Sequence, residues 1–234
     1  MKSNLFKKIF VFFLILFLFK PTWLLNLNSL GDDELSYWLH SATLAFDFDI
    51  NYENDFEVNE SWTFNNKNVP SHPPGSGYMN SFFVFLFDLV FERDFDKNVD
   101  RLNPVGSFWI LGYFFSTLFY IFLGFYFLRK ALLSISNNEK VINLVLFLTF
   151  LSSLSNFVLN RFMLSHPAEF FLVCLILFTI TRKKINFYLL LTSYFFLSIT
   201  RPTTFLVTLL LIPIFSKNLK KINFNKLKIG RASC

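Results

Sequence analysis

The sequence predicts an all-α integral membrane protein of about six transmembrane helices, with interfacial juxtamembrane helices in the first outer loop. Three observations lead there. Hydrophobic residues make up 53% of the 234, Phe alone accounting for 36 positions, and they fall in continuous runs that approach the ~20 residues needed to cross a bilayer. The runs do not alternate in the two-residue rhythm of barrel strands, so helices are the spanning elements. The basic residues flank the runs. A net charge of +6 therefore does not form a nucleic-acid-binding face. Cys174 and Cys234 are too far apart in sequence to imply a disulfide or metal framework, and Cys174 reads as a small core residue.

The first span is predicted at 9–25. Lys2, Lys7 and Lys8 precede it as they would precede a signal peptide, but no small-residue cleavage site follows, so it reads as an uncleaved helix behind a cytoplasmic N-terminus at 1–8. The outer loop, 26–105, holds every acidic residue except Glu139 and Glu169. Within it, 78–91 is apolar but too short to span and suits a helix in the interface. Trp38 and Trp62 fit an interfacial aromatic belt.

The remaining spans lie in 106–215. They are 106–128, closed by Arg129-Lys130; 141–159; 167–181, ended by Arg182-Lys183-Lys184; and a pair, 186–199 and 203–215, separated by Arg201-Pro202. The tail, 216–234, carries Lys217, Lys220, Lys221, Lys226, Lys228 and Arg231 with no acid. Lys and Arg collect on the cytoplasmic side. Crossing twice between 186 and 215 keeps this tail inside with the other basic clusters and leaves the acidic loop outside. Arg201 then lies below the outer surface, where a charge needs a wet cavity or an anion.

The polar residues have two readings each. Asp32-Asp33-Glu34 is either a solvated turn or a general base or metal anchor, since adjacent carboxylates repel and one can be raised in pKa. Asp47, Asp49, Asn51, Glu53 and Asp55 alternate as in a hard-cation loop. Tyr52 and Val58 stand where an EF-hand needs Gly and Glu, so that motif is excluded and a looser divalent site or a plain solvated loop is left. His72-Pro73-Pro74-Gly75 is a rigid turn, with Gly75 free to take positive φ, or a place where His72 bonds substrate. Arg161, His166 and Glu169 collect at the outer ends of two spans. There Glu169 is expected to pair with Arg161, to sit at a helix N-terminus, or to touch substrate.

In this order, Gly31-Asp32-Asp33-Glu34-Leu35-Ser36-Tyr37, His72-Pro73-Pro74-Gly75, Arg101-Leu102, Leu164-Ser165-His166-Pro167-Ala168-Glu169 and Thr200-Arg201-Pro202-Thr203 resemble the GT-C membrane glycosyltransferases. The similarity is to their bacterial branch, which includes protein mannosyltransferases and aminoarabinose transferases, and it covers about 9–215. It implies juxtamembrane helices at 35–46 and 78–91, a polyprenyl-phosphate-linked sugar as donor, and a lipid, glycan or protein hydroxyl as acceptor. It also implies a bacterial inner (cell) membrane location and direct, inverting attack. Asp33 or Asp32 is the implied base, with preference for Asp33. Glu34, Tyr37, His72, Arg161, His166, Glu169 and Arg201 are the implied substrate-binding residues, Arg201 foremost for the leaving phosphate. No metal ligand is assigned, although a divalent cation is compatible with the loop carboxylates. Family members continue into further spans and a soluble domain, so the resemblance implies that this chain is an N-terminal fragment. The competing expectation is a non-catalytic membrane assembly subunit or an inactive remnant of such an enzyme.

Overall fold

The computed structural model describes residues 30–52, 63–64, 67–92, 104–182 and 185–210, together with positions 8, 11, 12 and 15. The described chain is almost wholly helical. Its elements are α1 (Asp32–Ala42), continued by a π-helical turn Thr43–Asp47; strands β1 (Thr63–Phe64) and β2 (Lys67–Asn68); α2 (Gly75–Phe87), continued by a π-helical turn Asp88–Glu92; α3 (Trp109–Ile135); α4 (Glu139–Leu151); α5 (Ser153–Leu159); α6 (His166–Thr181); α7 (Phe187–Thr200); and α8 (Pro202–Leu209). The strands pair antiparallel, with Thr63 opposite Asn68.

Helix α3 is the axis of the bundle. It packs most extensively on α6, and α2 packs on α1, α3 and α7. Its buried Ile110, Phe114, Leu118, Ile121 and Phe125 recur at three- and four-residue spacing, which lines one helical face. Among the described residues, α3 is the one helix that is long and apolar enough by itself to cross a membrane, with a mean hydropathy of 1.7 over its best window. Its 27 residues extend about 40 Å at ~1.5 Å each. Most of the expected first span lies outside the described residues, and so do Trp62, Arg101, 211–215 and the basic tail.

Several boundaries differ from the sequence reading. Helix α3 does not close at Arg129-Lys130 but runs on to Ile135, and Arg129 Nη2 stands 3.8 Å from Glu139 Oε1 at the start of α4. The span expected at 141–159 is two helices bent by 53° at Ser152. Ser152 caps the second of them by accepting a hydrogen bond from the Leu154 N–H, the role Ser favours at a helix start. Helix α1 begins at Asp32, not at 35, so all three carboxylates lie in its first turn, where the helix dipole favours them. Trp38 is fully buried rather than interfacial. It lies one and two turns from Ala42 and Ala45 on the α1 face that enters the core, and its ring stacks 6.3 Å from Trp109. Asp88, unexpected in an apolar helix, accepts a hydrogen bond from Trp109 Nε1 at 2.9 Å.

Two glycines set how closely the helices approach. Gly75 does not take positive φ. A Cβ there would come within 2.6 Å of the Thr200 backbone N and 2.7 Å of the Ile199 carbonyl carbon, so glycine lets α2 start against the end of α7. A Cβ on Gly77 would stand 2.8 Å from the Tyr37 carbonyl oxygen, and Ser41 Oγ donates to the Gly77 carbonyl at 2.7 Å across the same crossing.

Candidate functional site

Four separate stretches meet at the end of the bundle where α1, α2 and α6 begin and α7 breaks into α8. The first is the opening turn of α1. Arg161, in the loop between α5 and α6, donates from Nε to Glu34 Oε1 at 2.8 Å and from Nη2 to Asp33 Oδ2 at 3.5 Å. The hydrogen bond to Glu34 leads the contacts that raise the Arg161 pKa above its ordinary value, so the guanidinium stays charged. His72 Nε2 lies 3.5 Å from Asp33 Oδ1 on the opposite side. About half of the Asp33 side chain remains exposed, at 49%. Asp32 is exposed and makes none of these contacts.

His72 sits in the turn before α2, and its position is fixed from beneath. Its backbone N–H donates to Ser36 Oγ at 3.1 Å. Its carbonyl accepts from His40 Nε2 at 2.8 Å. Because that nitrogen faces a carbonyl, it carries the hydrogen. His40 Nδ1 then accepts from the Tyr52 hydroxyl at 2.7 Å, and Tyr52 lies 3.1 Å from the Tyr78 hydroxyl. Burial lowers the His40 pKa to about 4, so His40 is neutral at ordinary pH. The His72 ring is 5.1 Å from the ring of Tyr37.

The second half of the site is built on α6 and the α7–α8 break. Glu169, in the first turn of α6, accepts from His166 Nδ1 at 3.2 Å and from the Thr204 hydroxyl, and its Oε2 is 3.7 Å from Arg201 Nε. Arg201 ends α7 with an extended φ of −151°. Pro202 follows, and its missing N–H and fixed φ suit the first position of α8. The expected pairing of Glu169 with Arg161 does not form; Arg161 is held by α1, and the Glu169 partners come from its own helix turn and from the break.

Ser165 joins the halves. Its fully buried hydroxyl oxygen accepts from Tyr37 at 3.2 Å and from Arg201 Nη1 at 3.2 Å. Burial is the largest influence on Tyr37 and raises its pKa, so it remains a neutral donor. The structure thus brings together Asp33, Glu34, Tyr37, His72, Arg161, His166, Glu169 and Arg201. The sequence reading did not single out Ser165, Ser36, Thr204 or the His40–Tyr52–Tyr78 chain. Ser165 carried a usable signal, a small polar residue between buried Leu164 and a His-Pro helix start. His40 carried none.

The alternating acidic loop is described only to Tyr52. There the Asn51 N–H donates to Asp49 Oδ1 at 2.9 Å, a local turn. Among the described residues no three His, Cys, Asp or Glu side chains converge on a cation position. No protein-family model, no curated protein and no solved structure matches the chain.

Proposed function

We propose that this chain is a membrane glycosyltransferase module. It would move a sugar from a polyprenyl-phosphate donor to a hydroxyl acceptor, with inversion, on the outer membrane face. One observation carries the reading: a half-exposed carboxylate, Asp33, and a guanidinium, Arg201, lie at the same end of an apolar bundle; Asp33 meets His72, whose ring lies 5.1 Å from Tyr37, and Tyr37 and Arg201 both donate to Ser165. Transfer needs a base for the acceptor proton and a cation for the leaving phosphate, and these two groups supply them. Asp33 is favoured over Asp32 because it alone of the pair meets Arg161 and His72.

The outward faces support a lipid setting. Val141, Leu144, Leu148 and Leu151 on α4, Leu191 and Phe195 on α7, and Leu206, Val207 and Leu210 at α8 are all exposed. Apolar stripes of this extent are unusual against water and ordinary against acyl chains. In the six-span arrangement α7 and α8 are the broken last pair, and Arg201 at their break faces the site.

The test uses the protein in nanodiscs with short-chain polyprenyl-phosphate hexoses and pentoses, measuring release of the polyprenyl phosphate. Asp33→Asn is expected to lower turnover by about 10²-fold or more, with Asp32→Asn near wild type. Full activity in both variants defeats the reading. For topology, a membrane-impermeant maleimide should label Asp32→Cys from outside the cell and leave Asn137→Cys unlabelled.

A further inference from the structure

We infer that His166 is a second proton-handling residue, the donor to the leaving phosphate; this rests on the transferase reading. The chain has three histidines. His40 uses both ring nitrogens, on Tyr52 and on the His72 carbonyl. His72 uses both, on Ser71 and Asp33. His166 uses Nδ1 alone, on Glu169 Oε2 at 3.2 Å, and its Nε2 has no partner among the described residues. A carboxylate only accepts, so Nδ1 carries its hydrogen and Nε2 is the nitrogen that gains and loses a proton. The ring cannot swing away. It stacks on Phe157 with centroids 3.8 Å apart, and the carboxylate that holds it is itself pinned by Thr204.

The same Glu169 oxygen that meets His166 lies 3.7 Å from Arg201 Nε. One carboxylate therefore holds an imidazole and a guanidinium side by side, and the imidazole keeps a nitrogen to offer. The chemistry uses both. The donor is a phosphodiester with one negative charge. As the acceptor oxygen bonds to the anomeric carbon, the carbon–oxygen bond to phosphate breaks and its electron pair stays on the phosphate oxygen. The acceptor proton passes to Asp33. The new phosphate monoester would hold a second charge, and the proton on His166 Nε2 goes to that oxygen while Arg201 holds the first charge. Asp33 and His166 return to their starting states by proton exchange with solvent. Glu169 is a positioning residue in this scheme, since it acts through His166.

The test has two independent readouts. Diethyl pyrocarbonate modifies unprotonated ring nitrogens, and peptide mass mapping locates the adduct. On the alkaline side of the pH–rate profile, where Nε2 is unprotonated, His166 is expected to react in the wild-type protein, and saturating farnesyl phosphate should slow that reaction about fivefold or more. An unreactive His166, or one that farnesyl phosphate leaves equally reactive, overturns the inference whether or not any sugar is transferred. In the transfer assay His166→Gln is expected to lower kcat by about 10²-fold with KM within threefold, and to remove the alkaline limb of the pH–rate profile. A retained alkaline limb overturns the proton-donor role. If Asp33→Asn and Asp32→Asn are both fully active, the transferase reading falls on its own evidence, while the labelling result still decides whether His166 faces a lipid phosphate.

Discussion

The two halves of the site are held in different ways. Around Asp33 itself the contacts are ionic and open to water: Asp33 and Arg161 keep 49% and 44% of their side chains exposed, while the Glu34 that Arg161 also holds is drawn in to 13%. Around Glu169 they are closer to the interior, with 18% of the Glu169 side chain and 26% of His166 exposed. Exposed ion pairs contribute roughly 0–1 kcal/mol, whereas removing one partner from a desolvated cluster leaves the others uncompensated. Asp33 can therefore be altered with little effect on folding, and Glu169 cannot. Under the proposed function, an activity loss at Asp33 reports on chemistry alone. Losses on the α6 side mix chemistry with stability and call for the conservative variant.

The largest expected effect on stability is Glu169→Ala, which strips Arg201, His166 and Thr204 of one shared acceptor. A loss of about 2–4 kcal/mol is expected, read as a fall in the melting temperature of the detergent-solubilised protein. A change under 0.5 kcal/mol would erase the contrast between the halves.

Next is acid. His40 has a folded-state pKa of about 4 against ~6.5 in the unfolded chain. Below pH 6.5 the unfolded chain takes up a proton that the folded one refuses, so stability present above pH 6.5 is lost as pH falls towards 4. The loss is about 3 kcal/mol in all. His40→Gln should flatten melting temperature against pH in that window. Because His40 holds the His72 carbonyl, the acid effect should loosen the Asp33 half first.

Ser165→Ala should cost about 1–2 kcal/mol, and Ser165→Thr should restore most of it. Smallest is Asp33→Ala, about 0–1 kcal/mol and weaker still at high salt. A cost above 2 kcal/mol would mean that Asp33 bears on folding after all.

Much of this was legible before the structure. Runs of apolar residues identified α2, α3, α6 and α7, and Arg201-Pro202 marked a break because proline cannot donate to the helix that precedes it. Carboxylates and cations quoted from distant motifs do converge. What escaped were partners and faces. Glu169 near Arg161 in sequence suggested a pair, but α1 claims Arg161 from more than a hundred residues away. Trp38 carries the same indole in the core as at an interface, and only the stacking on Trp109 decides between them. The break at Ser152 did have a local signal, a Ser-Ser pair inside an apolar run, which tertiary packing turned into a cap.

Gly75 and Gly77 act as two missing shims beneath the site. One sets the gap to the end of α7, and so the reach of Arg201; the other sets the gap to α1, and so the reach of Asp33. They lie two residues apart on one helix yet adjust opposite walls. A single methyl group at either position would widen the site from one side only. Under the proposed function, each half could thus be retuned separately, with every polar residue left in place.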